Sequence, residues 1–120
     1  MKSVLIVDDS RIIRNGLRNV FEQEDWKVCA EAADGQEAIT QALQNRPQVV
    51  VLDLVMPVMN GLTAARILKK AVPDTHLILF SFSADLFKRE ELHSAGFSAI
   101  VPKSQVLSLL EEAQGLVDVG

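Results

Sequence analysis

Four short apolar runs punctuate the chain: Val4-Leu5-Ile6-Val7, Val49-Val50-Val51-Leu52, Leu77-Ile78-Leu79-Phe80 and Ala99-Ile100-Val101-Pro102. Each is rich in β-branched residues and almost free of polar alternation. That pattern predicts strands buried on both faces of a parallel sheet. The strands are expected over Val4–Val7, Val49–Asp53, Leu77–Ser81 and Ala99–Pro102. A weaker stretch, Val28–Ala32, predicts a strand exposed on one side. Between the strands the apolar residues fall at helical spacing. Helices are predicted over Ser10–Gln23, Gln36–Asn45, Leu62–Ala71, Asp85–Ala95 and about Gln105–Leu116. Met59-Asn60-Gly61 opens the third of these, Pro73 follows its end, and Gly96 stops the fourth.

Strict alternation of strand and helix predicts an α/β, doubly wound (βα)5 sandwich. Right-handed crossovers favour the flavodoxin-like strand order 2-1-3-4-5. Pro102 suits an edge for the fifth strand, because proline cannot donate to a central ladder. With 120 residues, the chain is long enough for one core. One domain over 1–120 is expected, either a whole protein or cut from a longer one. Leu116–Gly120 shows no clear role.

Charge and composition narrow the chemistry. A net charge of −4 argues against direct nucleic-acid binding, which needs a basic footprint. Cys29 is the single cysteine, so a disulfide framework within the chain is excluded. No signal-peptide pattern or membrane-length apolar run is present. The expectation is a cytoplasmic protein that does not engage membranes. His76 and His93 stand in no ligand spacing, so zinc is not expected.

The polar residues at the strand ends are more informative. Ligands of an open parallel sheet bind outside the carboxyl ends of its strands. Asp8-Asp9, Asp53, Ser81 and Lys103 each follow an apolar run, so they gather at one rim. Two carboxylates ~4 Å apart repel by about 4 kcal/mol at an effective dielectric of 20. The cluster therefore calls for a cation, and all-oxygen ligation suits Mg²⁺. The bland reading is that Asp8-Asp9-Ser10 only cap the first helix. It leaves Asp53 unexplained. Lys103 and Ser81 add a point charge and a donor suited to a phosphoryl oxygen.

The chain resembles the receiver domain of two-component response regulators, CheY-like, over nearly its whole length. The resemblance rests on Val7-Asp8-Asp9-Ser10, Ala33-Asp34-Gly35-Gln36-Glu37-Ala38, Asp53-Leu54-Val55-Met56-Pro57-Val58-Met59-Asn60-Gly61, Phe80-Ser81 and Pro102-Lys103. It implies that Asp53 accepts a phosphoryl group from a sensor histidine kinase or a phosphotransfer domain. It also implies Mg²⁺ held by Asp9, by Asp8 largely through water, by Asp53 and by the Val55 carbonyl. Ser81 and Lys103 would engage the phosphoryl group. The family resemblance carries no turnover of outside substrates. Phe80–Ser83 and Gly96–Lys103 resemble receivers joined to DNA-binding domains, so an output domain outside this chain is an expected partner; a change in the surface of the fourth helix, the fifth strand and the last helix is expected to tune a homodimer. A stand-alone regulator is the other reading.

Two positions depart from the family. Ile100 stands where an aromatic ring usually does, and Ser104, not proline, follows Lys103. These changes put the usual switching route in question. Ser81, Phe82 and Ile100 are the expected switch positions, with Phe82 taking over the packing role. Phe82 also replaces a small residue and is expected to crowd the pocket. Arg11, Arg14 and Arg18 share a helix face, which reads equally as a solvated stripe or a docking surface. Trp26 is expected at the rim away from the acids. Two further readings are an aspartyl-phosphate phosphatase, which would want an acid at Val55, and a phosphate-independent pseudo-receiver. Retention of all five rim residues argues against the second.

Overall fold

The computed structural model describes residues 2–118, so Val119 and Gly120 at the end of the tail lie outside the described residues. The elements run β1 (Ser3–Val7), α1 (Arg11–Gln23), β2 (Lys27–Ala32), α2 (Gly35–Asn45), β3 (Val49–Leu52), α3 (Gly61–Ala71), β4 (His76–Ser81), α4 (Arg89–Ala95), β5 (Phe97–Pro102) and α5 (Val106–Asp118). The sheet is parallel with order β2-β1-β3-β4-β5. This is the expected doubly wound arrangement, with β5 and its proline at one edge.

The central strands bury both faces, and alternate residues feed two cores. Leu5, Val7, Val50, Leu52, Leu77 and Leu79 pack against α2, α3 and α4 through Ala38, Ala42, Ala64, Ala65, Leu68 and Leu92. Val4, Ile6, Val49, Val51, Ile78 and Phe80 pack on the other side against Leu17 and Phe21 of α1 and Leu109 and Ala113 of α5. The small helix residues on the first side let helices lie close to the sheet. Two-sided burial explains the unbroken apolar runs. The edge strand β2 is partly exposed, as its weaker pattern predicts.

One predicted helix differs. Asp85–Ala95 is not continuous: a single 3₁₀ turn, Ala84–Leu86, is followed by extended Phe87 and Lys88 before α4 begins. Local propensity favours helix through this stretch. A turn of three residues places Ala84 and Phe87 on one face, and both pack against the core while Leu86 is left exposed. The tertiary demand for Phe87 breaks the helix. Elsewhere the ends shift slightly: β5 begins at Phe97, because left-handed Gly96 (φ 119°) turns the chain directly into pairing with Leu77.

Two of the three arginines on α1 are structural. Arg14 Nε and Arg18 Nε donate to the two carboxylate oxygens of Glu31 on β2, at 3.0 and 2.8 Å. Partial burial would raise the pKa of Glu31, but the hydrogen bonds from Arg18 and Arg14 outweigh it and hold the carboxyl below the usual range. A depressed carboxylate pKa stabilises the fold above the unfolded-state value and loses that contribution as pH falls through the folded value. Glu31→Gln should therefore lose about 1 kcal/mol of stability at pH 7. The gap to wild type should close as pH drops below roughly 4, the ordinary glutamate range. Urea melts across that pH range check both points.

Trp26 lies just before β2, at the amino rim of the sheet, 3% exposed and edge-on to Phe21 at 5.3 Å. Lys2 Nζ lies 5.5 Å from its ring centroid. A strand of 6 residues spans roughly 20 Å, which separates it from the carboxyl rim. Its emission should show no saturable change on titration with Mg²⁺. A saturable quench in a fluorescence titration would contradict this geometry.

Candidate functional site

Parallel register builds the site. Val7 pairs with Leu52, and Leu52 pairs with Leu79, so Asp8 and Asp53 leave adjacent strands side by side. Ser81 pairs with Pro102 on the other flank, and Lys103 follows with its N–H donating to the Ser81 carbonyl at 3.3 Å. Among the described residues, Asp8, Asp53 and Ser81 are buried polar residues, at 2%, 7% and 2% exposure. Asp9 is exposed. The four expected side chains and the second acid thus meet at the carboxyl rim.

Lys103 reaches across the sheet into this cluster. Its Nζ lies 2.7 Å from Asp8 Oδ2 and 3.0 Å from Asp53 Oδ2. Burial alone would lower its pKa. The hydrogen bonds and charges of Asp8 and Asp53 outweigh that and hold it above the ordinary lysine value. The remaining oxygens are also occupied: Asp8 Oδ1 accepts from Ser10 N at 2.9 Å and Asp53 Oδ1 from Leu54 N at 2.7 Å.

These contacts decide the capping question. Ser10, not either acid, caps α1, its hydroxyl accepting from Ile13 N. Asp9 is left for other chemistry. Carboxylate oxygens of Asp8, Asp9 and Asp53 all lie within 4.8 Å of one another. Three carboxylates less one ammonium leave two negative charges. That donor set fits a small, hard divalent cation with oxygen ligands. On the adjoining loop, the Leu54 carbonyl accepts from Gly61 N and the Pro57 carbonyl from Met59 N, while the Val55 carbonyl accepts from no described residue.

Three supporting residues had weaker sequence signals. Arg14 Nη1 donates to the Asp8 carbonyl at 2.7 Å, so the Glu31 pair also anchors the acid rim. Gly61, read from sequence as a turn and as the end of the Asp53–Gly61 family motif, is required by space. A Cβ there would collide with the Asp53 carbonyl oxygen and lie 2.8 Å from its carbon. Gly35 meets the same loop, where a Cβ would sit 2.6 Å from the Met59 carbonyl oxygen. Only the spacing of these glycines from Asp53 could have signalled this.

The proposed switch residues also have places. Ser81 Oγ accepts from Ser83 N at 3.1 Å, which leaves its own O–H free to donate. Ile100 is half-buried on the α3–α4 side of β5. Phe82 is 75% exposed and lines the cavities beside Ser81 and Lys103. No peptide bond among the described residues is cis, so Lys103–Ser104 is trans.

An open parallel sheet with a buried acid–lysine centre at its topological switch point defines a doubly wound, flavodoxin-like α/β domain with its ligand site at the carboxyl rim. Residues 4–114 match the response regulator receiver domain family, and the chain belongs to it. A protein-glutamate methylesterase/protein-glutamine glutaminase 3 of Paramagnetospirillum magneticum is 43% identical over 119 residues, covering 97% of this chain and 32% of that protein. The chain thus spans under a third of the length of the curated relatives it matches. The response regulator domain of Thermotoga maritima CheB superposes with a TM-score of 0.91 at 26% identity, covering 100% of this chain and 98% of that one. The chain of a Borrelia burgdorferi CheX–CheY–BeF3–Mg²⁺ complex superposes with a TM-score of 0.88 at 25% identity, over 99% and 90%. No described helix is long and apolar enough to cross a membrane.

Gly61→Ala tests how far the site depends on its backing. The added methyl must displace the Asp53 carbonyl. We expect a loss of about 1–3 kcal/mol, as for overpacking, and altered amide resonances for Asp53 and Leu54. A variant as stable as wild type with unmoved Asp53 and Leu54 resonances would refute the steric argument.

Proposed function

We propose that Asp53 is the phosphoacceptor of this receiver domain and takes its phosphoryl group from a phosphohistidine on a sensor kinase or phosphotransfer domain. The observation that carries the reading is the bridging of Asp8 and Asp53 by the buried Lys103 ammonium. A phosphoryl group on Asp53 adds nearly two negative charges, and Lys103 is already held where it can meet them. The acid cluster supports Mg²⁺ as cofactor, held by Asp8, Asp9, Asp53 and the Val55 carbonyl. Bound there, Mg²⁺ would neutralise phosphoryl oxygens.

The step is an in-line displacement. A carboxylate oxygen of Asp53 forms the new P–O bond. The P–N bond to the donor histidine breaks, and its electron pair stays on the imidazole. Lys103 stabilises charge on the equatorial oxygens. The Ser81 O–H donates to one of them. Val55, two residues after the nucleophile, offers no acid for a leaving group, which favours a receiver over a phosphatase of outside substrates. For the output, two classes of linked domain fit: a DNA-binding domain, from the resemblance around β4 and β5, and a hydrolase, from the relatives' names.

Intact mass after incubation with acetyl phosphate and Mg²⁺ tests the assignment. Wild type should gain one phosphoryl group. Asp53→Asn should gain none, and EDTA should suppress the gain in wild type. Phosphorylation of Asp53→Asn, or an undiminished gain in EDTA, would sink the reading.

A further inference from the structure

Phe82 sits beside the site in an arrangement that core packing does not explain. It is 75% exposed, whereas Phe80, two residues earlier, is 3% exposed and part of the core. The Lys103 side chain beneath it is only 7% exposed. The Phe82 ring centroid lies 5.4 Å from Lys103 Nζ, within the range of a cation–π contact. The ring also lines two cavities. One of about 390 Å³ is lined by Ser81, Phe87, Ile100 and Pro102; the other, of about 340 Å³, by Ile12, Leu17 and Val106.

The ammonium is thus held from two directions. Asp8 and Asp53 take two of its N–H groups, and the aromatic face approaches from outside. An exposed ring contributes little burial to the fold, so its contact with Lys103 is the interaction that accounts for its position. Excluding water from one side of the ammonium lowers the local dielectric. The charge then acts more strongly on a neighbouring oxygen anion.

We propose that Phe82 is a positioning residue for Lys103. Its ring holds the ammonium against the acid pair and keeps it partly dry for the phosphoryl group. This inference rests on the reading that Lys103 engages the phosphoryl group on Asp53. It gives Phe82 a role in the transfer step itself, distinct from any later packing change. The aromatic quadrupole does the work, so leucine, apolar but without that quadrupole, is not equivalent. Tryptophan, with the strongest cation–π face, is the conservative replacement.

The test compares wild type with Phe82→Trp, Phe82→Leu and Phe82→Ala by two measurements. The first is the NMR shift of the Lys103 ε-methylene, which a ring face moves upfield. The second is the rate of Asp53 phosphorylation by acetyl phosphate in saturating Mg²⁺, in which the Asp53 oxygen attacks phosphorus and acetate leaves with the electron pair. The upfield shift should persist with tryptophan and vanish with leucine and alanine. The rate should be retained with tryptophan and fall roughly two- to fivefold with leucine and alanine, the size of one exposed cation–π contact. Leucine matching wild type in rate, or alanine leaving the Lys103 shift unmoved, would overturn the proposal. If wild type is not phosphorylated at all, the underlying assignment of Asp53 fails instead. The methylene shift then decides the ring's hold on Lys103: its presence in wild type and loss in Phe82→Ala supports that hold, and any other pattern refutes it.

Discussion

The interaction on which the site depends is the ammonium of Lys103 bridging two buried carboxylates, Asp8 and Asp53. A buried charge at the end of a central strand is costly unless it is paired. Together the two acids would also repel. A cation between them resolves both problems, and its geometry is fixed by a sheet in which every strand points the same way. Parallel strands bring their carboxyl ends to one rim, so four strands, β1, β3, β4 and β5, contribute charged or polar side chains to one small volume. An antiparallel neighbour would have sent its terminal residue to the other side of the molecule. The charge count leaves two negative charges after Lys103 is counted, which explains why the centre has room for chemistry and is not merely a buried ion pair.

Around that centre the work is divided among residues that do no chemistry. Ser10 relieves the acids of capping α1. Arg14 holds the Asp8 backbone and is itself fixed by Glu31. Leu54 N orients the Asp53 carboxylate. Gly61 and Gly35 let α3 and α2 start hard against the loop that follows Asp53. That loop carries strain as well: Val58, β-branched and exposed, adopts φ 67°, a conformation that costs such a residue about 1–2 kcal/mol. Its exposure means no core contact offsets the cost. The packing of the two glycines and the hydrogen bond from Gly61 N to the Leu54 carbonyl hold the loop in place.

Most of this was legible where the signal is local. Strands β1, β3 and β4 were readable because two-sided burial writes itself as an unbroken apolar run. The acids, Ser81 and Lys103 were readable because each directly follows such a run. The 3₁₀ turn before α4 was not, since Asp85–Glu91 is locally good helix and the reason for the break, the packing of Phe87, lies in the fold. The arginine stripe was ambiguous for the same cause. Its partner Glu31 is on β2, and nothing in the spacing of Arg14 and Arg18 points to it. Phe82 was expected to crowd the pocket because it replaces a small residue usual in the family, yet it is 75% exposed. β4 ends at Ser81, so the alternation that buries Phe80 no longer governs the next side chain.

The end of β4 also determines how a change at Asp53 could leave the site. A conformational response requires a contact that differs between states. Ser81 Oγ already accepts from Ser83 N, so this hydroxyl, at the rim that carries the acid centre, is bonded to the first turn of the segment leading to α4. That segment is a single 3₁₀ turn, two extended residues and a helix of 7 residues. So short a helix has little stability of its own, and it relies on Leu92, Ala95 and the half-buried Phe87 for its seat on the sheet. Ile100 is stiff at χ1 and has no ring to swing, so this position of β5 offers no aromatic lever. Of the elements bordering Ser81, the β4–α4 segment is therefore the one that a shift of the hydroxyl would move at least cost. Lys103, whose backbone N–H is bonded to the Ser81 carbonyl, ties that movement to the same ammonium that balances the acids.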